Sequence, residues 1–155
     1  MTNEKLHNTS KAISEHKQLD AIWKALNLVV HTEKVCSNKK VFTLKSKMDS
    51  ESCNIQDDNL IVKEIRTSAL NSYLYARRAN RIRVTKEDIK SKDYRLELIL
   101  ESILACDEVL DLITVARPLY HLRSKKYEYW IKLVVETKTL LNAWYQSEKK
   151  RYSKL

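Results

Sequence analysis

The chain has 155 residues, enough for one domain, and it contains no glycine, where average usage of about 7% would place roughly eleven. Without glycine there is no phosphate-binding loop and no Gly-rich dinucleotide fingerprint, so the common nucleotide-binding enzyme classes are disfavoured. Lys and Arg number 29 against 20 Asp and Glu, a formal charge of +9. This excess favours an anionic partner such as nucleic acid or an anionic membrane, with solubility alone as the alternative.

The first predicted helix covers residues 14–34 and comes after a polar segment, residues 1–13, that is expected to be flexible. Residues 35–42 are expected to form a loop, and Thr43 is a candidate N-cap for the next helical segment. In helix 1, apolar side chains recur at the spacing of one helix face, so we expect this stripe to meet the core. The stripe consists of Leu19, Ile22, Trp23, Leu26, Val29 and Val30.

The second helix has an ambiguous beginning. Residues 43–48 fit a helix, but residues 49–58 are polar and poor in helix formers. They fit either a break, after which Asp57 or Asp58 caps a fresh start, or one long irregular helix. From Leu60 to Arg81 a helical stripe is clear, formed by Ile61, Ile65, Ala69, Tyr73 and Ala76.

The third and fourth helices carry clearer signals. Thr85 and Asp88 form a weak capping box at the start of helix 3, and Pro118 is expected to end or kink this helix near Ala116. Ser124 is a candidate cap for helix 4, which is expected to end near Lys150. The predicted core face of helix 4 consists of Tyr127, Trp130, Ile131, Val134, Leu141 and Trp144.

Four long amphipathic helices with short connections predict an all-α fold, an antiparallel up-and-down four-helix bundle over residues 14–150, with residues 151–155 as a basic tail. We also expect the bundle to be oligomeric, because apolar residues lie off the main stripes of helices 3 and 4; a wide core stripe is the alternative. These residues are Leu98, Val109, Leu112 and Val115 in helix 3, and Tyr129, Leu133 and Leu140 in helix 4.

In an antiparallel bundle the end of helix 2, the start of helix 3 and the end of helix 4 meet at one end, which we call the first basic pole. Residues 77–95 carry eight bases, Arg95 among them, and three acids. Cations at helix C-termini also complement the helix dipole, which is the alternative explanation here. The candidate nucleic-acid-binding residues of this pole are Arg77, Arg78, Arg81, Arg83, Lys149, Lys150 and Arg151.

The opposite end, the second basic pole, combines the loop after helix 1 with the start of helix 4. The dipole disfavours cations near a helix N-terminus, so phosphate binding explains this cluster better. Tyr73, Tyr75, Tyr120 and Tyr152 lie among the bases of the two poles and either stack on nucleic-acid bases or are half-buried at the bundle ends. The candidate nucleic-acid-binding residues of the second pole are Lys39, Lys40, Lys45, Lys47, Arg123, Lys125 and Lys126.

The middle of helix 3 has the opposite charge. Glu97, Glu101, Glu108 and Asp111 recur at spacings that place them on one helix face. We call this face the acidic stripe. It is a candidate contact for a basic protein or a neighbouring subunit.

No residue pattern in the sequence indicates a metal, a cofactor or a catalytic site. His7, His16 and His31 are scattered, and no Cys/His pair has zinc-site spacing. Arg117 and His121 resemble the Arg-x(4–6)-His motif of HEPN ribonucleases, in which the histidine moves protons and the arginine stabilises the pentacoordinate phosphate. Here only three residues separate them and one is a proline, so a basic loop with an incidental histidine is the alternative.

The cysteines and the apolar runs bear on location. Cys36, Cys53 and Cys106 are an odd number without a close pair, and no apolar segment comes after Met1. We therefore expect a reduced, cytoplasmic location. No apolar run approaches the ~18 residues of a membrane span, so no membrane partner is expected.

Three stretches, taken in order, resemble the four-helix-bundle family that includes the accessory variability determinant (Avd) proteins of diversity-generating retroelements and the ribosomal intervening-sequence proteins. Residues 40–48 resemble its aromatic and basic loop, with Lys45 where the family has glycine. Residues 75–78 match the Ala followed by basic residues at the end of its second helix. Its closing element is matched over residues 122–144 by Tyr127, Glu136, Thr137, Leu141 and Trp144.

The resemblance covers about residues 19–147 and implies a function. Avd proteins form a homopentameric basic barrel that binds the retroelement reverse transcriptase and its template RNA and supports mutagenic cDNA synthesis, without catalytic activity of its own. The expected partners are therefore a reverse transcriptase, RNA (with DNA or an RNA–DNA hybrid as further ligands) and copies of the same chain. The alternatives are a HEPN-like ribonuclease and a small helical subunit of another ribonucleoprotein.

Overall fold

The structure, a computed structural model, describes residues 3–45 and 59–155. These residues form four helices, α1 (Asn3–Cys36), α2 (Leu60–Arg81), α3 (Ser91–Leu119) and α4 (Ser124–Tyr152). Helix α1 packs against α2 and α4, and α3 packs against the same two helices, so the helices surround one core. Within the described ranges the extended structure is limited to one isolated bridge, between Leu44 and Tyr120. The predicted all-α four-helix bundle is confirmed.

Side-chain contacts fix the antiparallel order. Gln18 of α1 donates to Asn80 near the end of α2, whereas Arg66 near the start of α2 pairs with Glu33 near the end of α1. The same reversal relates α1 and α4, because Ser14 bonds to Glu148 while Thr32 accepts from Trp130. No helix in the described part of the chain has the length and apolar content to cross a membrane.

Helix α1 is longer than the sequence predicted and turns a different face to the core. It begins at Asn3 rather than Ser14, because good helix formers such as Lys11 and Ala12 extend a helix without an apolar partner. Of the predicted stripe, Leu19, Trp23 and Val30 are exposed (62%, 66% and 45%). The stripe was therefore a partly wrong prediction of the core face, because Ile22 is buried and Leu26 and Val29 are half-buried. The other buried residues of α1 are Ser14, Ala21, Ala25, Leu28, Thr32, Val35 and Cys36.

The predicted bounds of α2 are confirmed, and its cap is a different residue. The side chain of Asn59 accepts a hydrogen bond from the backbone N–H of Val62 at 3.4 Å, as an N-cap does. The predicted stripe residues Ile65, Ala69 and Ala76 are buried. The question of a break or a helix over residues 49–58 lies outside the described residues.

Helix α3 begins at Ser91, not at the predicted Thr85. The Thr85 hydroxyl accepts from the N–H of Asp88 at 3.1 Å, but this forms an isolated turn before the helix. Pro118 stands inside the last turn and the helix runs on to Leu119, past the predicted end near Ala116. A proline so close to a C-terminus removes only one intrahelical bond, and the N–H of Tyr120 still reaches the carbonyl of Ala116 at 3.0 Å.

Several apolar residues predicted to form a subunit interface belong to the core of this chain. Leu98, Val109 and Leu133 are buried, and Leu112 and Leu140 pack half-buried against the core. These positions are covered because α3 lies between α2 and α4 and buries a face wider than one stripe. Val115 and Tyr129 are the members of the set that remain exposed.

Helix α4 has the predicted core face, with Trp130, Val134, Leu141 and Trp144 buried. The predicted cap was wrong, because Ser124 is the first helical residue and Arg123 occupies the N-cap position without a side-chain bond. The indole N–H of Trp130, inside the core, donates to the hydroxyl of Thr32 on α1 at 3.1 Å. A buried donor without an acceptor is costly, so this bond fixes the pairing of α1 with α4.

We expect Thr32→Val to destabilise the protein by about 1–3 kcal/mol, because valine keeps the shape of threonine and leaves the Trp130 indole N–H unpaired. The measurement is the free energy of unfolding from urea titration. Thr114→Val is the matched control, since that hydroxyl is exposed and bonds only to the carbonyl of Leu110 one turn before. Equal stability of the two variants would contradict the prediction.

Candidate nucleic-acid interface

The first basic pole is organised around a buried arginine. One Nη of Arg95, in the first turns of α3, donates to the carbonyls of Ala79 (2.7 Å) and Ile82 (2.9 Å) at the end of α2. The other Nη donates to Gln18 of α1 (2.8 Å) and to Glu148 near the end of α4 (2.9 Å). The end of α2, the start of α3 and the end of α4 therefore meet, as the antiparallel topology predicted.

Glu148 is the acceptor at the centre of this cluster. Its fully buried Oε1 accepts from the Ser14 hydroxyl at 2.7 Å and the Trp144 indole at 3.2 Å, and lies 3.7 Å from a nitrogen of Arg151. Burial opposes ionisation, but the hydrogen bond and positive charge of Arg95, with smaller contributions from Tyr152 and Ser14, hold the pKa of this carboxyl below its usual value. Glu148 is therefore a buried carboxylate.

Because Glu148 neutralises it, Arg95 contributes no charge to a surface ligand. Its side chain is buried, unlike the other bases of the first pole, and its bonds are all internal. The sequence analysis included Arg95 among the eight bases of residues 77–95, since charge alone does not distinguish a structural arginine from an exposed one. Without Arg95, seven bases of this segment remain as candidates for contact with a ligand.

The remaining candidate cations of the first pole differ in exposure. Arg77 is half-buried, and Arg151 turns inward to Glu148. Three cations lie over tyrosine rings, a contact that orients a cation without cancelling its charge. They are Arg78 (5.6 Å from Tyr75), Lys149 (5.6 Å from Tyr145) and Arg151 (5.5 Å from Tyr152). The exposed candidates of this pole are Arg78, Arg81, Arg83, Lys149 and Lys150.

The second basic pole presents its cations on two loops and the first turn of α4. Lys47 lies outside the described residues. Helix α4 begins without a side-chain cap and without an acidic residue in its first turn. Within the described ranges, Arg151 is the only candidate cation of either pole that pairs with a carboxylate. The exposed candidates of the second pole are Lys39, Lys40, Lys45, Arg123, Lys125 and Lys126.

A cleft of about 490 Å³ lies within the second pole, and we call it the basic cleft. The N–H of His121 donates to the carbonyl of Val41 at 2.9 Å, and Leu44 pairs with Tyr120 in an isolated antiparallel bridge, so two chain segments form its walls. The buried ring of Phe42 anchors these segments, with its centroid 5.3 Å from that of Tyr120. The cleft is lined by Asn38, Lys40, Lys45, His121, Arg123 and Lys126 above an apolar floor.

The structure does not bring the two residues of the HEPN-like motif to one site. His121 lines the basic cleft, and its Nε2 is buried without a hydrogen-bond partner. The guanidinium of Arg117 instead lies over the ring of Tyr127, 4.2 Å from its centroid, and does not line the cleft. Proline at position 118 and the short spacing direct these side chains to different surroundings.

Two tyrosines proposed for base stacking are buried. Tyr120 is 3% exposed and its hydroxyl donates to Asn59 at 2.6 Å, while Tyr152 is 5% exposed. Neither ring is available to a base, and Tyr73 and Tyr75 are half-buried. The exposed aromatic ring at the first pole is Tyr94 in α3, which sequence reasoning missed; its position off the apolar stripe of helix 3 was the available signal.

The acidic stripe lies on the surface as predicted, because Glu97, Glu101, Glu108 and Asp111 are all exposed. Glu108 also accepts a hydrogen bond from Ser68 of α2 at 3.0 Å. The acidic stripe is thus an exposed negative surface on the middle of α3, between the two basic poles.

The described residues also include histidines and cysteines that metal or thiol chemistry would use. They contain no group of three His, Cys, Asp or Glu side chains placed to hold a metal ion. Burial raises the pKa of both Cys36 and Cys106 to about 12, so these thiols are protonated at neutral pH. Burial and the charge of Lys34 lower the pKa of His31, which packs edge-on against Tyr129.

Comparison with known proteins gives no match, since no protein-family model, no curated protein and no solved structure is significantly similar to this chain.

Proposed function

We propose that this protein is a non-catalytic adaptor that binds single-stranded RNA, and DNA or an RNA–DNA hybrid as further ligands, through its two basic poles. The observation that carries the proposal is the set of exposed candidate cations at both ends of the bundle, none of which pairs with a carboxylate in the described part of the chain. Phosphates supply the missing negative charge, and Arg and Lys contacts to phosphate dominate the affinity of such complexes.

The second pole supports this proposal more strongly than the first. Helix dipoles favour cations at C-termini, which offers a structural reason for Lys149 and Lys150 near the end of α4. Lys125 and Lys126 instead stand in the first turn of α4, where the dipole disfavours them by about 0.3–1 kcal/mol each. An anionic ligand at this end offsets that cost, and a purely structural explanation does not.

The partner protein is proposed from the resemblance. The loop over residues 40–48, the basic end of α2 and the closing element over residues 122–144 resemble Avd proteins, so we propose a retroelement reverse transcriptase as the protein partner. The loop of this motif supplies Val41 and Phe42 to the core and Lys40 and Lys45 to the surface, which fits a segment with both a structural and a binding role.

We also propose that the chain self-associates, as a homopentamer by the same resemblance. Trp23 on the outer face of α1 is 66% exposed. This is unusual, because tryptophan is a large aromatic side chain whose burial in a core or an interface is strongly favourable. Apolar residues are exposed on α1 and α2 and again on α3 and α4, which lie on opposite sides of the bundle. Contact between two different faces is the heterologous kind that forms rings when its rotation closes, as the proposed homopentamer requires. The exposed apolar residues of the first face include Leu19, Trp23, Val30, Leu70 and Leu74, and those of the second face include Leu100, Leu104, Val115 and Val135.

The test of self-association is Trp23→Ser. This substitution removes an aromatic side chain that the interface would bury, which is expected to cost about 2 kcal/mol or more of binding free energy at each interface. The protein is therefore expected to shift from oligomer to monomer. Light scattering after size-exclusion chromatography measures the mass, and Tyr94→Ser, which removes another exposed ring, is expected to leave it unchanged. A wild-type protein that is monomeric at micromolar concentration would refute the interface.

The test of the proposed function is the binding of single-stranded RNA as a function of salt. If about six phosphates are neutralised, affinity is expected to fall about 10²–10³-fold between 50 and 200 mM salt. The RNA is expected to remain intact after long incubation, whereas cleavage that His121→Ala abolishes would instead support the ribonuclease alternative. An RNA that does not bind at 50 mM salt would overturn the adaptor.

A further inference from the structure

The basic cleft of the second pole carries more positive charge than one internal phosphodiester of a nucleic-acid strand would neutralise. Lys40 and Lys45 stand on one wall, and Arg123 and Lys126 on the other, around a volume of about 490 Å³. No carboxylate lies among the described residues that line it. Four cations, two from each of two chain segments, therefore line one open cleft, and their mutual repulsion is relieved when an anion enters.

The cleft is held in shape before any ligand arrives. The backbone bond from His121 to Val41 and the bridge between Leu44 and Tyr120 join its walls, and buried Val41, Tyr120 and Leu122 form its floor. Binding to such a site orders little additional backbone, so the ordering cost is confined to the exposed cationic side chains. The site is thus built by the fold and is not a chance gathering of surface lysines.

On these grounds, and resting on the proposed function, we propose that the basic cleft binds the terminal phosphate monoester of a nucleic-acid strand. A phosphate monoester carries a charge of about −1.5 to −2 at pH 7 and three strong acceptor oxygens, whereas an internal phosphodiester carries one charge. Four cations match the monoester better. The volume lies in the range of about 300–1,000 Å³ that small-molecule sites occupy, so it also admits the terminal sugar against the apolar floor.

The experiment compares three forms of one short single-stranded RNA, with a 5′-phosphate, a 3′-phosphate or only hydroxyl ends, by fluorescence anisotropy with an internal label. We expect at least one phosphorylated form to bind about tenfold more tightly than the hydroxyl form, and the two phosphorylated arms identify which end enters the cleft. Adenosine 5′-monophosphate at millimolar concentration, but not adenosine, is expected to remove a 5′-end preference, with the 3′-monophosphate as the corresponding competitor for a 3′ end.

The variant Arg123→Gln/Lys126→Gln is expected to reduce the preference for a phosphorylated end to within about twofold. Lys149→Gln/Lys150→Gln makes the same change in charge at the first pole and is expected to weaken all three RNAs equally, with the end preference retained. Lys40→Gln/Lys45→Gln, on the opposite wall, repeats the test independently. All six side chains are exposed, so circular dichroism is expected to show folded variants.

The outcomes separate this inference from the proposed function. Equal affinity of the wild-type protein for the three RNAs overturns the end-binding cleft and leaves the adaptor in place. An end preference that survives both cleft variants also overturns it. If none of the three RNAs binds at 50 mM salt, the adaptor itself is refuted and the cleft proposal falls with it.

Discussion

Replacing Arg78, Arg81 and Arg83, three exposed arginines of the first pole, by glutamine is expected to weaken the binding of single-stranded RNA about a hundredfold at 50 mM salt. Each phosphate contact on a single strand contributes about −0.7 to the slope of log K against log salt concentration, so three lost contacts flatten the slope by about 2. The effect on affinity shrinks as salt rises, since these contacts act by counterion release. Anisotropy titrations at several salt concentrations measure both quantities.

The control variant has the same net charge as the arginine variant, but its substitutions lie in the middle of the bundle. Lys132→Gln/Thr139→Glu/Asn142→Glu also lowers the charge by three, at exposed positions of α4 away from both ends. It is expected to change affinity only a few-fold. If the control weakens binding as much as the arginine variant, net charge rather than the first pole accounts for the affinity.

The second large effect concerns stability. Arg95→Met is expected to destabilise the bundle by about 3–5 kcal/mol, because it leaves the carboxylate of Glu148 buried with its strongest partner removed. Domains of this size are stable by only about 5–15 kcal/mol, so the variant is expected to be partly unfolded at elevated temperature. Urea titration followed by circular dichroism at pH 7 measures the loss.

Two comparisons separate this buried pair from ordinary ion pairs. Arg95→Met/Glu148→Leu removes both charges and is expected to be more stable than Arg95→Met alone. Glu33→Gln breaks the half-exposed pair with Arg66 and is expected to cost less than about 1 kcal/mol. If Arg95→Met lowers the free energy of unfolding as little as Glu33→Gln does, the buried pair does not stabilise the bundle as predicted.

The same pair predicts an acid-sensitive fold. The pKa of Glu148 in the folded protein is depressed below its unfolded value of about 4.3, so the folded state binds this proton less readily than the unfolded state. Its contribution is fully present above the unfolded pKa and is lost as pH falls through the folded pKa. Below about pH 4 the melting temperature of the wild type is therefore expected to fall more steeply than that of Glu148→Gln.

The helices whose ends carry strong local signals were the ones predicted well. The bounds of α2 and the start of α4 are marked by polar stretches that separate clear apolar stripes, and both stripes lie in the core. Where the signal was a short capping pattern, as at Thr85, the structure forms a single turn and begins α3 later. One turn closed by one side-chain bond does not suffice to start a helix.

The composition and the 3.6-residue period were enough to determine four helices, their antiparallel order and the segregation of charge to the ends of the bundle, because each is a local property of the chain or a consequence of short connections. Only the tertiary structure decided which face of α1 is covered, since a helix with two apolar faces buries the one that fits its neighbours and leaves Trp23 outside. It also decided that Arg95 is structural, and it created the basic cleft. Both depend on partners distant in sequence, Glu148 for Arg95 and the 38–45 loop for His121, whose approach is set by packing of the whole bundle.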